Sequence, residues 1–331
     1  MSHKEPTISV IMSVFNGEEF LSEAINSILE QTLKDYEFII VNDASTDKTS
    51  NILSEFAVKD KRIKIINNVK NMGLARSLNI AISEAKGNFI ARMDADDYSY
   101  PDRLLTQYRY MSKHPNTIVC GTSMRTYEEL RNKVPPLSHE EIISSIAFDC
   151  PFYHPTVMIR KDILLKLGII YPESYEKAQD YGLWTELFLT SINNNHKFIN
   201  LPDILLKYRT HPNRNRNEYF SEQESYAAKS KLKLTRALGI DIDIENIIKI
   251  NSSEKLSSNE VIYLNNILKT MINKINISLP VKCKNNIQKI HIAKKFKLYS
   301  RANTNDLLGL FLKIYSRFLY LTNRKKIKSV L

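Results

Sequence analysis

The sequence contains only three cysteines among 331 residues, and this scarcity excludes several kinds of structure. Cys120, Cys150 and Cys283 lie far apart, so they form neither a disulfide framework nor the paired spacing of a zinc site. We therefore expect a protein of a reducing compartment, in which these thiols fill the core.

Glycine is also scarce, with eight residues and no cluster. Neither the dinucleotide-binding pattern Gly-x-Gly-x-x-Gly nor the phosphate loop that ends in Gly-Lys-Ser/Thr occurs, which disfavours a Rossmann oxidoreductase and a P-loop NTPase. An EF-hand that starts at Asp94 fails as well, because Ser99 stands where the loop needs glycine and Leu105 where it needs glutamate.

Long apolar runs are absent too. No stretch of about 18 uncharged apolar residues occurs, and the first six residues lack the apolar segment of a secretory signal. With 43% hydrophobic residues, the chain can nevertheless bury a large core and has room for about two domains. We expect a soluble globular protein without a membrane span.

Acidic residues are almost missing from the end of the chain. Residues 280–331 contain 13 Lys and Arg but one acid, Asp306, whereas residues 1–279 contain 34 basic and 35 acidic residues. The net charge of +11 therefore belongs to the C-terminal region. Such an asymmetry favours a polyanionic partner, either an anionic membrane or nucleic acid.

Strand and helix patterns alternate in the first hundred residues. Apolar runs typical of strands are separated by stretches with the 3.6-residue apolar period of helices. The strands are predicted at 8–14, 38–41, 63–66 and 88–93. This alternation predicts an α/β fold on a mostly parallel sheet, with helices on its faces and right-handed crossovers.

Beyond about residue 218, only helical periodicity remains. Helices are predicted at 220–238, 258–275, 285–299 and 305–321. The last one ends in the basic run 324–328 and carries its apolar residues on one side, which is typical of an amphipathic helix at a membrane surface. Those residues are Leu307, Leu308, Phe311, Ile314, Tyr315, Phe318 and Leu321. A helix packed on the rest of the chain or on a dimer partner has the same pattern, so this alternative stays open.

Three carboxylates stand at the end of the fourth predicted strand. Asp94 and Asp96 point to the same side of an extended segment, so together they can hold a hard divalent cation or a polyhydroxyl group. All four predicted strands end in polar residues, and open α/β sheets bind ligands at the carboxyl ends of their strands. The functional site is therefore expected at this edge, although a solvated Asp-rich turn has the same local pattern.

Residues 7–215 resemble the inverting nucleotide-sugar glycosyltransferases of family 2, which have the GT-A fold. The motifs that carry the resemblance occur in the family's order and spacing. They lie at 9–16, 41–47, 71–79, 93–97, 101–104, 153–160 and 179–184. We place a GT-A catalytic domain at 1–218, with the nucleotide-sugar half at about 1–100 and the acceptor half at about 101–218. Residues 219–331 form a helical, basic C-terminal region.

The resemblance implies how the donor is bound. Asp43 would accept a hydrogen bond from the uracil of a UDP-sugar, and Asn16 would lie in the same base pocket. Arg76 would face the diphosphate, and Asp94 would contact the ribose or the sugar. Phe15 departs from the commoner tyrosine of the family, but it retains a ring that can stack on a base.

The resemblance also implies a metal site and a catalytic base. Asp96 would bind the Mn2+ or Mg2+ that bridges the two phosphates, with His211 as a further ligand. Asp180 would be the base that accepts the proton of the acceptor hydroxyl. Arg209 would reach the diphosphate or else lie in a surface loop. Gln179 departs from the glutamate that usually precedes the base, which removes a charge from the acceptor side.

The function predicted from these residues is an inverting, metal-dependent transfer of a hexose or N-acetylhexosamine from a UDP-sugar. The expected acceptor is a glycan on a lipid carrier in the synthesis of a bacterial surface polysaccharide such as O-antigen or capsule. The expected location is cytoplasmic, peripheral on the inner membrane, with the basic tail on anionic lipid and no nucleic-acid partner.

Two other functions fit the sequence less well. A sugar-nucleotide nucleotidylyltransferase needs a glycine-rich phosphate loop near the N-terminus, and residues 13–17 do not form one. A nucleic-acid-binding protein with a basic arm needs a basic stripe with aromatic stacking residues outside the tail, where the charges nearly cancel.

Overall fold

The computed structural model describes residues 5–128, 130–191, 194–210, 216–252 and 254–330. The chain divides into two compact units, one within residues 1–139 and 151–214 and the other within 140–150 and 215–331. The sequence predicted one boundary, after residue 218. The short segment 140–150 has no counterpart in that prediction.

Among the described residues, the first unit contains a nine-stranded sheet with helices beside it. The strands are β1 (Ile8–Val14), β2 (Tyr36–Asn42), β3 (Ile63–Asn67), β4 (Phe89–Arg92), β5 (Tyr98–Ser99), β6 (Thr117–Thr126), β7 (Asn132–Lys133), β8 (Met158–Arg160) and β9 (Lys197–Tyr208). The helices up to residue 191 are α1 (Leu21–Leu29), α2 (Thr49–Lys59), α3 (Leu74–Glu84), α4 (Arg103–Lys113), α5 (His139–Ser145), α6 (Lys161–Leu167) and α7 (Gln179–Ser191). All of α5 after His139 falls in segment 140–150 of the second unit.

The strand order is β3-β2-β1-β4-β8-β6-β9-β5, with β7 paired to β6. The first four strands pair with one another in parallel, so their carboxyl ends lie along one edge. The antiparallel pairings come later in the chain, where β8 joins β4 and β6 and where β5 joins β9. The predicted α/β class is confirmed, and the parallel pairings beside the candidate site lie within the first hundred residues.

The core of the first unit lies on both faces of its central strands. All residues of β2 except Glu37 are buried, which explains why residues 38–41 are consecutive apolar residues rather than an alternating pattern. Helix α1 covers the sheet with Leu21, Ala24, Ile25 and Ile28, whose 3.6-residue spacing puts them on one face. Burial of each Leu or Ile side chain contributes about 1.5–3 kcal/mol to folding.

The second unit is helical, as predicted. Its long segment contains α8 (Arg216–Ala237), α9 (Ile244–Asn251), α10 (Ser258–Ser278), α11 (Lys284–Ser300) and α12 (Leu307–Lys328). Local caps begin two of these helices: Ser257 and Glu260 form a reciprocal capping box at α10, and the Asp306 carboxylate accepts the Gly309 N–H at α12.

None of the helices within the described ranges is both long enough and apolar enough to cross a membrane.

Candidate active site

The loops that follow β1 to β4 meet at the carboxyl edge of the sheet because the strands end nearly in register. Val14 pairs with Asn42, and Asn42 pairs with Asn67 on the next strand. On the other side of β1, Ile11 pairs with Arg92 at the end of β4. The register therefore brings the polar strand ends together, as the sequence predicts.

Asn16 ties the loop after β1 to the loop after β2. Its side-chain oxygen accepts the Thr46 N–H at 2.8 Å, and its own N–H donates to the Ser45 hydroxyl at 3.0 Å. Asn16 has a left-handed backbone with φ of 51°, a conformation that asparagine tolerates better than most residues. Beside it, the Phe15 ring is half exposed, so an apolar ring faces solvent at this edge.

Asp43 is buried and organises the loop that leads into α3. Its Oδ1 accepts hydrogen bonds from Asn68 Nδ2 at 2.7 Å and from the Met72 N–H at 2.8 Å, and its Oδ2 accepts the Gly73 N–H at 2.9 Å. Each carboxylate oxygen has two lone pairs, so Oδ2 keeps one acceptor position. The loop so held begins α3, whose first turn carries the exposed Arg76.

Arg92 is a further candidate site residue, which the sequence motifs did not single out. It is buried at the end of β4 and forms an ion pair with Asp94. Burial alone lowers the pKa of Arg92, but the neighbouring Asp94 carboxylate raises it above its usual value. Its Nε and Nη1 are buried and have no partner among the described residues. The sequence signal for Arg92 is a charged residue at the end of an apolar strand. Such a position predicts a buried charge, and a buried charge needs a compensating partner.

The three carboxylates that follow β4 form a cluster. Asp94, Asp96 and Asp97 each place an oxygen so that these atoms lie within 4.8 Å of one another. Asp97 is buried, and its Oδ1 accepts the Arg209 N–H at 2.9 Å. Its Oδ2 accepts no hydrogen bond from any described residue. Burial raises the pKa of Asp97 well above its usual value, and Asp94 and Asp96 raise it further.

This cluster has the chemistry of a divalent cation site. Carboxylate oxygens are the preferred ligands of hard cations, and the buried, unpartnered Oδ2 of Asp97 is the atom whose desolvation a cation would compensate. The family resemblance places the metal on Asp96 and His211 and gives Asp97 no role. Asp97 now joins the candidate ligands, whereas His211 lies outside the described residues.

Arg209 braces the acidic loop from the end of β9. Its Nε donates to the Asp96 carbonyl at 3.0 Å, and its Nη2 pairs with Glu23 of α1 at 2.6 Å. The guanidinium carbon lies 3.9 Å from the ring centroids of both Phe20 and Tyr127. Two rings, a carboxylate and a carbonyl thus surround the guanidinium predicted to reach the diphosphate.

Asp180 lies half-buried in the first turn of α7, and Tyr171 connects it to the acidic cluster. The buried Tyr171 hydroxyl interacts electrostatically with Asp180 and with Asp94 and lies 2.8 Å from Nε2 of His154. Burial and Arg92 both lower the pKa of His154, so its imidazole is neutral near pH 7. The predicted base and Asp94 of the acidic loop thus both interact electrostatically with one buried tyrosine.

Solved structures define the class of this fold. S. aureus TarS, residues 1–349, solved with UDP-GlcNAc, has a TM-score of 0.57 and 19% identity, covering 96% of this chain and 92% of that chain. The mannosyltransferase PcManGT from Pyrobaculum calidifontis, solved with GDP-Man and Mn2+, has a TM-score of 0.59 and 17% identity, covering 98% and 84%. The fold is therefore of the GT-A type, as the sequence predicts.

Sequence comparisons give the family. Residues 9–168 match the model of glycosyl transferase family 2. An uncharacterized glycosyltransferase of Haemophilus influenzae is 32% identical over 293 residues, which are 83% of this chain and 87% of the relative. The O-antigen biosynthesis glycosyltransferase WbnJ of Escherichia coli is 36% identical over 208 residues, 62% of this chain and 80% of that protein. The chain belongs to glycosyltransferase family 2.

This membership confirms that the protein is a glycosyltransferase enzyme. The matched family is one of glycosyltransferases, and not of nucleotidylyltransferases or of non-enzymatic nucleic-acid-binding proteins.

Proposed function

We propose that this enzyme transfers a hexose or N-acetylhexosamine from a UDP-sugar to a glycan acceptor, with inversion at the anomeric carbon. The observation that carries the proposal is the cluster of Asp94, Asp96 and Asp97 after β4, beside which the buried Tyr171 hydroxyl interacts electrostatically with both Asp94 and Asp180. The reaction needs carboxylates in two roles. One set would hold the cation that neutralises the leaving diphosphate, and another carboxylate removes the proton of the acceptor hydroxyl.

The uracil base is bound where the loops after β1 and β2 meet. The half-exposed Phe15 ring offers a stacking surface, and the remaining lone pair of Asp43 Oδ2 accepts the imide N–H of uracil. Asn16 holds the shape of this pocket through its bond to Thr46. The UDP-GlcNAc in the TarS structure supports a uridine nucleotide, and the GDP-Man in PcManGT makes guanosine the competing choice.

The diphosphate is bound beside the acidic cluster. Asp94, Asp96 and Asp97 would hold Mn2+ or Mg2+, with His211 as a further ligand, and PcManGT was solved with Mn2+. When bound, such a cation acts as a Lewis acid that stabilises the charge developing on the leaving diphosphate. Arg92 orients Asp94, which contacts the ribose or the sugar. The exposed Arg76 approaches the phosphates from α3. A contact between Arg209 and the diphosphate stays a prediction.

Asp180 accepts the proton of the acceptor hydroxyl as that oxygen attacks the anomeric carbon. An alcohol is a poor nucleophile near neutral pH, so a positioned base accelerates the attack by about 100-fold or more. Attack from the face opposite the leaving UDP is a single displacement and inverts the configuration. The Tyr171 hydroxyl interacts electrostatically with both this base and the donor-binding Asp94.

The acceptor is a glycan on a lipid carrier in the synthesis of a surface polysaccharide. WbnJ, an O-antigen biosynthesis glycosyltransferase, supports this assignment. Since such acceptors lie in the membrane, the enzyme works from the cytoplasm as a peripheral protein of the inner membrane.

A donor screen tests the proposal. The thermal unfolding midpoint is measured with UDP, GDP and a set of UDP-sugars, each with Mn2+, with Mg2+ and with excess chelator. We expect UDP compounds to raise the midpoint only when a divalent cation is present, and chelation to abolish transfer. Inversion is read from the anomeric configuration of the product by NMR.

The screen has clear contrary outcomes. Stabilisation by GDP but not by UDP would contradict the base assignment, and full transfer in excess chelator would contradict the metal assignment. A product that keeps the donor's anomeric configuration would contradict the single displacement.

A further inference from the structure

The inner face of α12 packs on α11. Leu312 and Ser316 are buried, and the Tyr315 ring lies 5.7 Å from the ring of Tyr299 on α11. One turn further along, the Tyr320 ring lies 5.3 Å from that of Phe296. These contacts are spaced along the helix, so they fix which side of α12 faces outward.

The outer face of α12 is an exposed apolar stripe. Its members are Leu307, Leu310, Phe311, Ile314, Phe318 and Leu321, each between 47% and 87% exposed. Spacings of four and three residues align them on one face, and from first to last they extend about 21 Å at 1.5 Å per residue. Contiguous exposed apolar patches of this kind mark interaction surfaces.

The charge around the stripe selects the partner. Residues 307–331 contain six Lys and Arg and no acid. Lys313 and Arg317 lie within the stripe's length, and four more basic residues follow Asn323, where the backbone leaves the helical conformation. A second copy of this helix would bring the same positive charge with no acid on 307–331 to pair with it. The complementary partner is an anionic surface.

We propose that α12 is an interfacial helix that docks on an anionic phospholipid membrane. The stripe enters the boundary between headgroups and acyl chains, and the basic residues contact the headgroups. The inference deepens the proposed membrane location of the enzyme and rests on it only for the biological setting. Vesicle binding needs neither donor nor acceptor, so the docking proposal and the transferase proposal can fail separately.

Vesicle flotation with the full chain tests the proposal. The vesicles contain either phosphatidylcholine alone or phosphatidylcholine with phosphatidylglycerol. One variant combines Phe311→Gln with Phe318→Gln, and a second combines Arg324→Gln, Lys325→Gln and Lys326→Gln. The matched control combines Ile277→Gln with Val281→Gln, because both side chains are exposed and apolar in the same unit but lie outside α12. Circular dichroism checks the fold, and light scattering gives the oligomeric state.

The full chain and the control are expected to float with anionic vesicles and to bind phosphatidylcholine alone at least about tenfold more weakly. Each basic residue lost near anionic lipid should cost about fivefold in partitioning, and raised salt should weaken binding. The double phenylalanine variant should lose at least about tenfold of its binding while keeping its fold.

Three results would overturn the proposal. The first is a full chain that does not float with anionic vesicles. The second is a folded double phenylalanine variant that floats as well as the control. The third is a full chain that is dimeric and becomes monomeric in that variant with no change in vesicle binding, because the stripe would then be an interface between copies. If the double phenylalanine variant does not fold, unchanged flotation of the triple basic variant overturns the proposal by itself.

Discussion

The two units differ in how they compensate what they bury and expose. Both bury charged groups, but the second unit pairs its buried Lys231 and Lys294 with Glu224 and Asp149. In the first unit, Arg92 and Asp97 have almost no exposed surface, and each keeps a buried polar atom without a partner among the described residues. The second unit exposes apolar surface along α12. Buried charge at a strand edge can be balanced by a polar ligand, whereas an exposed apolar stripe is covered by an extended apolar surface. The two features therefore point to a small polar ligand in one unit and to an extended surface in the other.

The largest expected effect tests whether the charges of the first unit serve chemistry. Asp180→Asn should lower the turnover number by about 100-fold or more while UDP affinity stays nearly unchanged, because the variant loses the base but keeps the donor site. Turnover assays and calorimetry with UDP measure the two quantities. Asp203→Asn, on an exposed residue of β9, is the control and should have neither effect. Loss of UDP binding in Asp180→Asn would instead assign Asp180 to the donor.

The next effect tests whether Asp43 holds its loop as well as the base. Asp43→Asn replaces one carboxylate oxygen with an NH2 donor beside backbone N–H groups that donate to Asp43 in the native protein. The free energy of unfolding should therefore fall by about 2–3 kcal/mol. UDP affinity should fall in the same variant. Urea unfolding and calorimetry measure both, with Glu55→Gln on the exposed face of α2 as control. An unchanged urea midpoint together with weaker UDP binding would limit Asp43 to ligand contact.

A smaller effect tests the brace at Arg209. Arg209→Lys keeps the charge but loses the planar fork and the stacking on two rings, which should cost about 1–2 kcal/mol of unfolding free energy and weaken Mn2+ binding. Urea unfolding measures the stability, and manganese EPR measures the binding of Mn2+. Arg109→Lys, at an exposed position of α4, is the control. If Arg209→Lys matches that control in stability but binds UDP more weakly, Arg209 faces the diphosphate as the family resemblance implies.

The smallest effect tests whether the helices of the second unit depend on local caps. The hydrogen bond from the Ser257 N–H, together with those from Lys249 and the Ser257 hydroxyl, lowers the pKa of Glu260 to about 2. A lowered carboxyl pKa stabilises the fold above its unfolded value near 4.5, and that stability is lost as the pH falls through about 2. Glu260→Gln should therefore cost less than about 1 kcal/mol at pH 7 and nothing near pH 2. A constant difference in unfolding free energy across this range would contradict the ionic origin.

The sequence predicted the elements whose signals are local. The four parallel strands and the four long C-terminal helices follow from apolar periodicity. Helix α9 was missed because eight residues with two buried isoleucines, Ile247 and Ile250, give too short a pattern. Pairing of β5 with β9 was also unpredictable, since it joins Tyr98 to Lys207 across more than a hundred residues.

The sequence predicted the acidic and polar residues of the candidate site, but not the contacts that hold them in place. Asp94 and Asp96 stand where an apolar strand stops, a signal that the sequence displays directly. Tyr171 and Arg209 act through contacts made by tertiary folding: a hydroxyl beside His154 and a guanidinium between two aromatic rings. No spacing in the sequence encodes these contacts. Arg92 is the intermediate case, because its charge inside an apolar strand and Asp94 two residues further on were visible in the sequence, while its burial followed only from the fold.

The segment 140–150 has a consequence for how the protein is made. Its residues Ile142, Ile143, Ile146 and Phe148 are buried, and its Asp149 pairs with Lys294 of α11 at 2.8 Å. A ribosome that adds about 5–20 residues per second reaches Lys294 some 7–30 seconds after this segment. During that interval an apolar stretch of the nascent chain awaits its partners. The C-terminal unit is thus completed only late in translation. In a chain shortened near residue 218, segment 140–150 would lack the rest of its unit, and its exposed apolar residues would favour chaperone binding or aggregation.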